Sequence, residues 1–236
     1  MNKENKYREL FADLPEAVYE PLQFTGYPEE EMLQRARDWY EECERRRTTR
    51  HFSTKPVAKE LIELAIATAN TAPSGAHLQP WKFVAIDSPA LKQTIRDVTE
   101  EEEYKTYTER MTDEWRQDLA KLGTDWVKTH ITDAPWVVVL FKERYSLKED
   151  GKKKKHYYVD ESVGICAGLF ISAIHHMGLS TLTHTPNPMG FLNELLKRPP
   201  NESAVLLFPV GYPSDTAQVP KIARKPLEDI VQWNDG

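Results

Sequence analysis

Three arginines fall within five positions of ERRRTTRHFS, residues 44–53: Arg46, Arg47 and Arg50. Guanidinium groups hold phosphate through forked, charge-assisted hydrogen bonds, and the hydroxyls of Thr48 and Thr49 add donors. The run equally suits the basic C-terminal end of a helix, and from the residues alone the two readings weigh the same. A second stretch, TAPSGAHLQPW (71–81), holds two prolines and a glycine and is read as a structured loop. Gly75 and Ala76 let a planar ligand come close to the backbone, while Ser74 and Gln79 offer hydrogen bonds; a plain turn would need no more than this. His77 in that loop is a weak candidate for a base. In STLTHTPNP (180–188), Thr183, His184 and Thr185 close a strand, and the two threonines share a face. Ordinary β-propensity accounts for them as well. EEEEYKTYTERM (100–111) puts four carboxylates in a row, which point all round a helix in the manner of a solvated surface. A late arginine, Arg224 in PKIARKPLED, carries no signal by itself.

Several chemistries lack support. GxGxxG, GxxxxGKS, GxSxG and HExxH do not occur, and adjacent His175 and His176 cannot both face one ion, so no metal site is expected. The net charge is −6, against a broad nucleic-acid surface. The basic cluster GKKKKH (151–156) reads as a solvated loop. Cys43 and Cys166 have no CxxC neighbour, which points to reduced thiols in the cytoplasm. The first residues, MNKENKYRELFADLPE, lack the apolar core of a signal peptide. The most apolar run, 163–174, is too short for a membrane span and suits a buried helix, so no membrane association is expected.

These candidates need elements to position them. Helical spacing predicts helices over 29–46, 57–70, 91–104, 159–177 with Gly178 as C-cap, and a short one over 191–198. In the second, Leu61, Leu64, Ala65 and Thr68 are expected on the buried side. Strands are predicted at WKFVAI (81–86), at APWVVVLFK (134–142) buried on both faces, at LSTLTHT (179–185) and at SAVLLFPVGYP (203–213). The 104–132 region carries aromatics without apolar periodicity, as a mobile cover would. Helices alternating with a few apolar strands indicate an α+β or α/β layered domain of 236 residues, with an arm at 1–28 and a tail at 214–236.

In order along the chain, RRTTRHF, PSGAHLQPW, PVGYP (209–213) and the tail arginine resemble the nitroreductase family of flavoproteins. EEEEYKTYTERM with WRQDLAKLGTDWVK, GKKKKHYY and THTPNPMG is similar to the iodotyrosine deiodinase branch of that family. The resemblance spans about residues 40–232. It implies an α+β nitroreductase-like fold, a mixed central sheet flanked by helices, and an intertwined homodimer whose tail crosses the partner. It implies bound FMN, held by Arg46, Arg47, Thr48, Thr49, Arg50 and Arg224, with Pro73, Ser74, Gly75 and Thr183 to Thr185 around the ring. His184 replaces a threonine of animal deiodinases, so its contact is expected through backbone.

The resemblance further implies a lid at 104–130, whose Tyr107 and Lys128, with Glu103 just before it, grip a zwitterionic halotyrosine. Glu103 and Tyr107 are four residues apart and share a helix face; Glu100, Glu101 and Glu102 are expected to stay solvated. A carboxylate suits the ligand's ammonium, and an amine and a phenol suit its carboxylate. The Ala76 N–H is expected to fix the phenolate, and the Thr185 hydroxyl to act at the flavin during stepwise electron transfer. The implied reaction is reductive dehalogenation of 3-iodotyrosine or diiodotyrosine to tyrosine. The implied electron source is external: an NAD(P)H-linked reductase, or a reduced flavin or ferredoxin-type protein. The competing enzyme reading is a broad nitroreductase or quinone reductase; a non-catalytic flavin or amino-acid binder is the third. The membrane anchor of animal deiodinases has no counterpart here, which implies a soluble homologue.

Overall fold

The computed structural model describes residue 6 and residues 10–234; parts of the expected arm (1–5 and 7–9) and of the expected tail (235–236) lie outside them. The chain falls into two units, Met1–Glu41 and Glu42–Gly236. In the first, an exposed stretch leads into α1 (Glu29–Arg45), whose first turn carries Glu29, Glu30 and Glu31 against the helix dipole. Within it Arg35 pairs with Glu31 at 2.9 Å and lies over the Tyr27 ring.

The second unit is built on a sheet of order β1-β2-β6-β5: β1 (Trp81–Ile86), β2 (Trp136–Glu143), β6 (Glu202–Gly211) and β5 (Ser180–Thr181). Every pairing in it among the described residues is antiparallel; the parallel pairing that a mixed sheet includes is not among them. The predicted double burial of β2 is found, with Trp136 to Phe141 all buried. Alternation decides the two cores. Val138 and Leu140 face α2 (Lys59–Ala69) and α6 (Val159–His176), packing with Cys166, Phe170 and Ile174. Val137, Val139 and Phe141 face the other way, toward Ile95 of α3 (Pro89–Lys105), Ile131 of α5 (His130–Asp133) and Leu192 of α7 (Gly190–Leu195). A helix layer thus covers each side.

Three local expectations change. In α2 the buried residues are Ile62, Ala65 and Ala69, while Leu64 is 52% exposed. Ala65 and Ala69 lie on the packed side, and their small side chains permit close approach to α6. The strand expected over 179–185 shrinks to Ser180–Thr181 plus a single bridge between His184 and Leu207, and Pro186 and Pro188, which cannot donate to a ladder, keep it from resuming beyond. The lysine cluster forms a strand, β4 (Lys153–Lys155), paired with β3 (Tyr145–Leu147); its side chains are still exposed. Helix α6 ends as expected, with Gly178 at φ 79° and its N–H on the His175 carbonyl.

Candidate active site

Helix α3 begins at a Ser88 N-cap with Pro89 in its first turn, and ends in a π-helical turn, Thr106–Arg110. Such turns widen the backbone locally and recur at functional sites. The Thr106 hydroxyl ties this turn to the Asn187 carbonyl at 3.1 Å. The acidic run therefore has an inner side. Glu103 is buried, and its Oε2 lies 2.7 Å from Lys128 Nζ, itself 3% exposed. Lys128 also donates to the Asp125 carbonyl. The Tyr107 hydroxyl donates to the Thr124 carbonyl at 3.3 Å, and its ring meets Trp126 edge-on. Burial pushes the Tyr107 phenol above its usual range.

The segment that carries Lys128 is tied at its far end by a column along α3. Lys92 Nζ donates to the Ala134 carbonyl at 2.6 Å. One turn on, Arg96 donates to Thr132 Oγ1 at 2.9 Å and pairs with Glu100 at 2.7 Å. Glu100 in turn accepts the Lys128 backbone N–H at 2.7 Å. Glu100 is thus no solvated bystander: it fixes the backbone of the lysine whose side chain Glu103 holds. Glu102 is engaged as well, with Lys105 and Arg110, while Glu101 pairs with Lys105 on the exposed face.

His184 closes the inner side. Its Nε2 lies 2.6 Å from Glu103 Oε1, and its Nδ1 lies 3.4 Å from His130 Nε2. Burial alone would raise the Glu103 carboxyl, but the His184 hydrogen bond and the Lys128 charge outweigh it and hold it below the usual carboxylate range. Burial pushes His184 down and His130 down from 6.5 to about 2. The backbone contact expected of His184 meets competition, since its N–H is already given to Leu207 and its carbonyl accepts the Leu207 N–H.

Glu103, Tyr107, Lys128, Thr183, His184, Thr185 and Arg50 line one cavity of about 200 Å³, with Trp115 and Leu119 on its apolar side. A neighbouring cavity of about 330 Å³ is lined by Arg46, Arg47, Thr48, Arg50 and Arg224. Arg50 borders both. It is half-buried, and among the described residues no carboxylate or carbonyl bonds its guanidinium. Burying an uncompensated cation is costly, so a clustered arginine of this kind fits an anion such as a phosphate. Arg224 donates to the Glu44 and Arg46 carbonyls at 3.0 Å each, and Arg47 donates to the Pro220 carbonyl, so the tail is tied across the arginine run of its own chain. Thr49 is buried away from this cavity, its N–H on the Thr181 carbonyl.

Pro73, Ser74, Gly75 and Ala76 line neither cavity. Their loop is strained: Ala76, His77 and Gln79 all have positive φ. Ser74 Oγ accepts the Gln79 N–H at 2.9 Å, holding the loop's shape. A Cβ on Gly75 would come within 2.9 Å of the Tyr157 carbonyl oxygen and of Tyr158 Cδ2, so a glycine is required there. His77 bonds Gln79 across the same turn.

Sequence reasoning missed Glu100, His130, Lys92 and Arg96. The Arg96–Glu100 spacing of four was a readable signal for an ion pair. His130 had none, because its partner lies 54 positions away. Among the described residues no group of side chains could hold a metal ion, and no helix is long and apolar enough to cross a membrane.

The sequence model of the Nitroreductase family matches residues 43–212, from the arginine run to the end of β6. The chain belongs to the nitroreductase family. An iodotyrosine deiodinase of Haliscomenobacter hydrossis is 46% identical over 93% of this chain and 96% of its own length. One of Hydra vulgaris is 44% identical over 92% and 80%. The crystal structure of oxidized iodotyrosine deiodinase bound to FMN and 3-iodo-L-tyrosine superposes with a TM-score of 0.73 at 29% identity, covering 83% of this chain and 98% of that one. Within the nitroreductase family this chain therefore stands among the iodotyrosine deiodinases.

Proposed function

We propose that the protein carries out FMN-dependent reductive dehalogenation of halotyrosines, releasing halide and tyrosine. The observation that carries this is the convergence of Glu103, Tyr107 and Lys128, from a helix, a π turn and a loop, on one cavity beside an arginine cluster. A simple nitroarene offers neither an ammonium nor a carboxylate to a buried acid and base of opposite charge. The relatives are iodotyrosine deiodinases by name, and this acid, phenol and amine suit the zwitterion of such a substrate.

The donor set fits FMN. Arg46, Arg47, Arg50 and Arg224, with the Thr48 hydroxyl, would hold its phosphate, and Arg50 would carry positive charge on to the substrate side. When bound, FMN supplies the two electrons of the reaction. The carbon–iodine bond breaks, a carbon–hydrogen bond forms with a proton from water, and iodide leaves. Glu103 receives the substrate ammonium, while Lys128 and Tyr107 receive its carboxylate. Their cover excludes water, which strengthens each charged contact. The Thr183 and Thr185 hydroxyls would offer donors within the same cavity, and Thr185 is assigned the catalytic contact to the cofactor.

Because the 73–76 loop lines neither cavity of this chain, we assign Ala76 to the site of the partner subunit in a homodimer, where its N–H would hold the substrate's phenolate. The tail is held to its own chain as far as Arg224 and would extend over the partner only beyond it, and 104–130 would act as the lid. Electrons are proposed to come from an external donor, an NAD(P)H-linked reductase or a reduced flavin or ferredoxin-type protein. The free thiols of Cys43 and Cys166 suit the cytoplasm.

The test is single turnover. Dithionite-reduced, FMN-loaded protein mixed anaerobically with 3-iodotyrosine should release one iodide and one tyrosine per FMN. No iodide, with nitroarenes reduced readily, would overturn the assignment.

A further inference from the structure

The His184 ring hangs from a fixed point. Its backbone N–H and carbonyl both pair with Leu207 at 2.9 Å, so the residue is pinned to β6 and not to the covering segment. The ring is 7% exposed and reaches from there to Glu103 Oε1 at 2.6 Å. An ionised carboxylate can only accept, so Nε2 carries the hydrogen. His130 Nε2 faces Nδ1 at 3.4 Å, on the side where a neutral ring accepts. The charged and titratable groups facing the ring are Glu103 from α3, Lys128 from the covering segment, His130 from α5 and Arg50 from the arginine run. Lys128 already balances the lone carboxylate, and burial disfavours a further cation there. Both imidazoles are accordingly neutral, each with hydrogen on Nε2.

Glu103 has two oxygens with different partners: Oε1 on His184 and Oε2 on Lys128. In the proposed complex Lys128 turns to the ligand's carboxylate, and Oε2 becomes available. A glutamate side chain without a second anchor would then be free to rotate. We propose that His184 is a positioning residue for Glu103, holding Oε1 so that Oε2 is aimed at the ligand's ammonium before the ligand arrives. This rests on the zwitterion reading of the site. Anchoring the acceptor in advance removes an ordering cost from binding, and that gain applies only to ligands with an amine. His184 thus sets the preference for an amino acid over its deaminated counterpart.

The test compares FMN-loaded wild type, His184→Ala and His184→Gln. Isothermal calorimetry is run with 3-iodotyrosine and with 3-(4-hydroxy-3-iodophenyl)propanoate, which lacks the amine. In His184→Ala the dissociation constant for iodotyrosine should rise roughly three- to tenfold, the ordering cost of one rotamer-rich side chain. That for the deaminated acid should stay within about twofold. His184→Gln, whose amide can still donate, should recover most of the loss. Equal weakening of both ligands, or an unchanged preference for the amine, overturns the proposal. Imidazole nitrogen NMR of the ligand-free protein gives a second readout. It should show His184 as the neutral Nε2–H form, with a shift on Glu103→Gln; no shift also overturns it. Should wild type bind neither ligand, the halotyrosine reading fails, and the NMR result alone decides the coupling.

Discussion

Replacing Lys128 with alanine removes a cation that is 3% exposed and 2.7 Å from Glu103. Two losses follow. The ligand's carboxylate forfeits a charge-assisted hydrogen bond, about 1.5–3 kcal/mol. The Glu103 carboxylate is also left buried without its cation, and breaking a buried pair from one side costs about 3–5 kcal/mol. Part of that second term returns as Glu103 takes up a proton, which in turn spoils it as a partner for an ammonium. At about 1.4 kcal/mol per factor of ten, the first loss weakens binding by roughly 10- to 150-fold, whereas the second falls on the stability of the ligand-free protein and reaches binding only through the proton on Glu103. The assay is titration of FMN-loaded protein with 3-iodotyrosine, followed by quenching of flavin fluorescence, beside steady-state reduction of a nitroarene. Iodotyrosine binding should collapse while nitroarene reduction changes less than about threefold. If both fall together, Lys128 supports the fold of the site and does not read the substrate.

Glu100→Gln should weaken iodotyrosine binding by roughly 5- to 20-fold, because the charged acceptor of the Lys128 N–H and the pair with Arg96 are both lost; nitroarene kinetics in the same preparation should hold steady. Gly75→Ala forces a Cβ to within 2.9 Å of the Tyr157 carbonyl, so the melting temperature should drop by an amount equivalent to about 1–3 kcal/mol and FMN affinity should fall with it. His130 stays neutral when folded down to about 2, whereas an unfolded histidine takes up its proton near 6.5. The unfolded state therefore binds more protons below that pH, and stability falls as pH drops from 6.5 toward 2, by at most about 1.4 kcal/mol per pH unit from this residue. Urea midpoints measured from pH 7 to pH 4 should show a shallower slope in His130→Gln than in wild type; equal slopes would mean that the ring is charged in the fold.

Residues whose neighbours are close in sequence were readable, and the sheet core followed from composition. The VVVLF run of β2 could only be a strand buried on both faces, and the apolar run of α6, with Gly178 behind it, could only be a buried helix. The 104–132 region showed only aromatics without period, and its π turn at Thr106–Arg110 and short helix at Asp113–Ala120 could not be read from them. What failed depended on distant partners. Which side of α2 packs was settled by how closely alanines let two helices approach, not by where the largest leucines lie. The acidic run looked uniform because four like residues carry no periodicity, yet Glu100 and Glu103 face inward, one to a backbone N–H and the other to a lysine. His184 could be placed near the site by its motif. That its ring, and not its backbone, meets the clamp follows only from the bridge to Leu207. The Pro73–Ala76 loop could be recognised by composition, but its separation from the clamp within one chain could not.

The most direct test of the clamp is a crystal structure of the FMN-loaded protein with 3-iodotyrosine. Lys128 Nζ should have left Glu103 for the ligand's carboxylate, Glu103 Oε2 should meet the ammonium, and His184 should still hold Oε1. A ligand bound elsewhere, with the Lys128–Glu103 pair intact, would contradict the account.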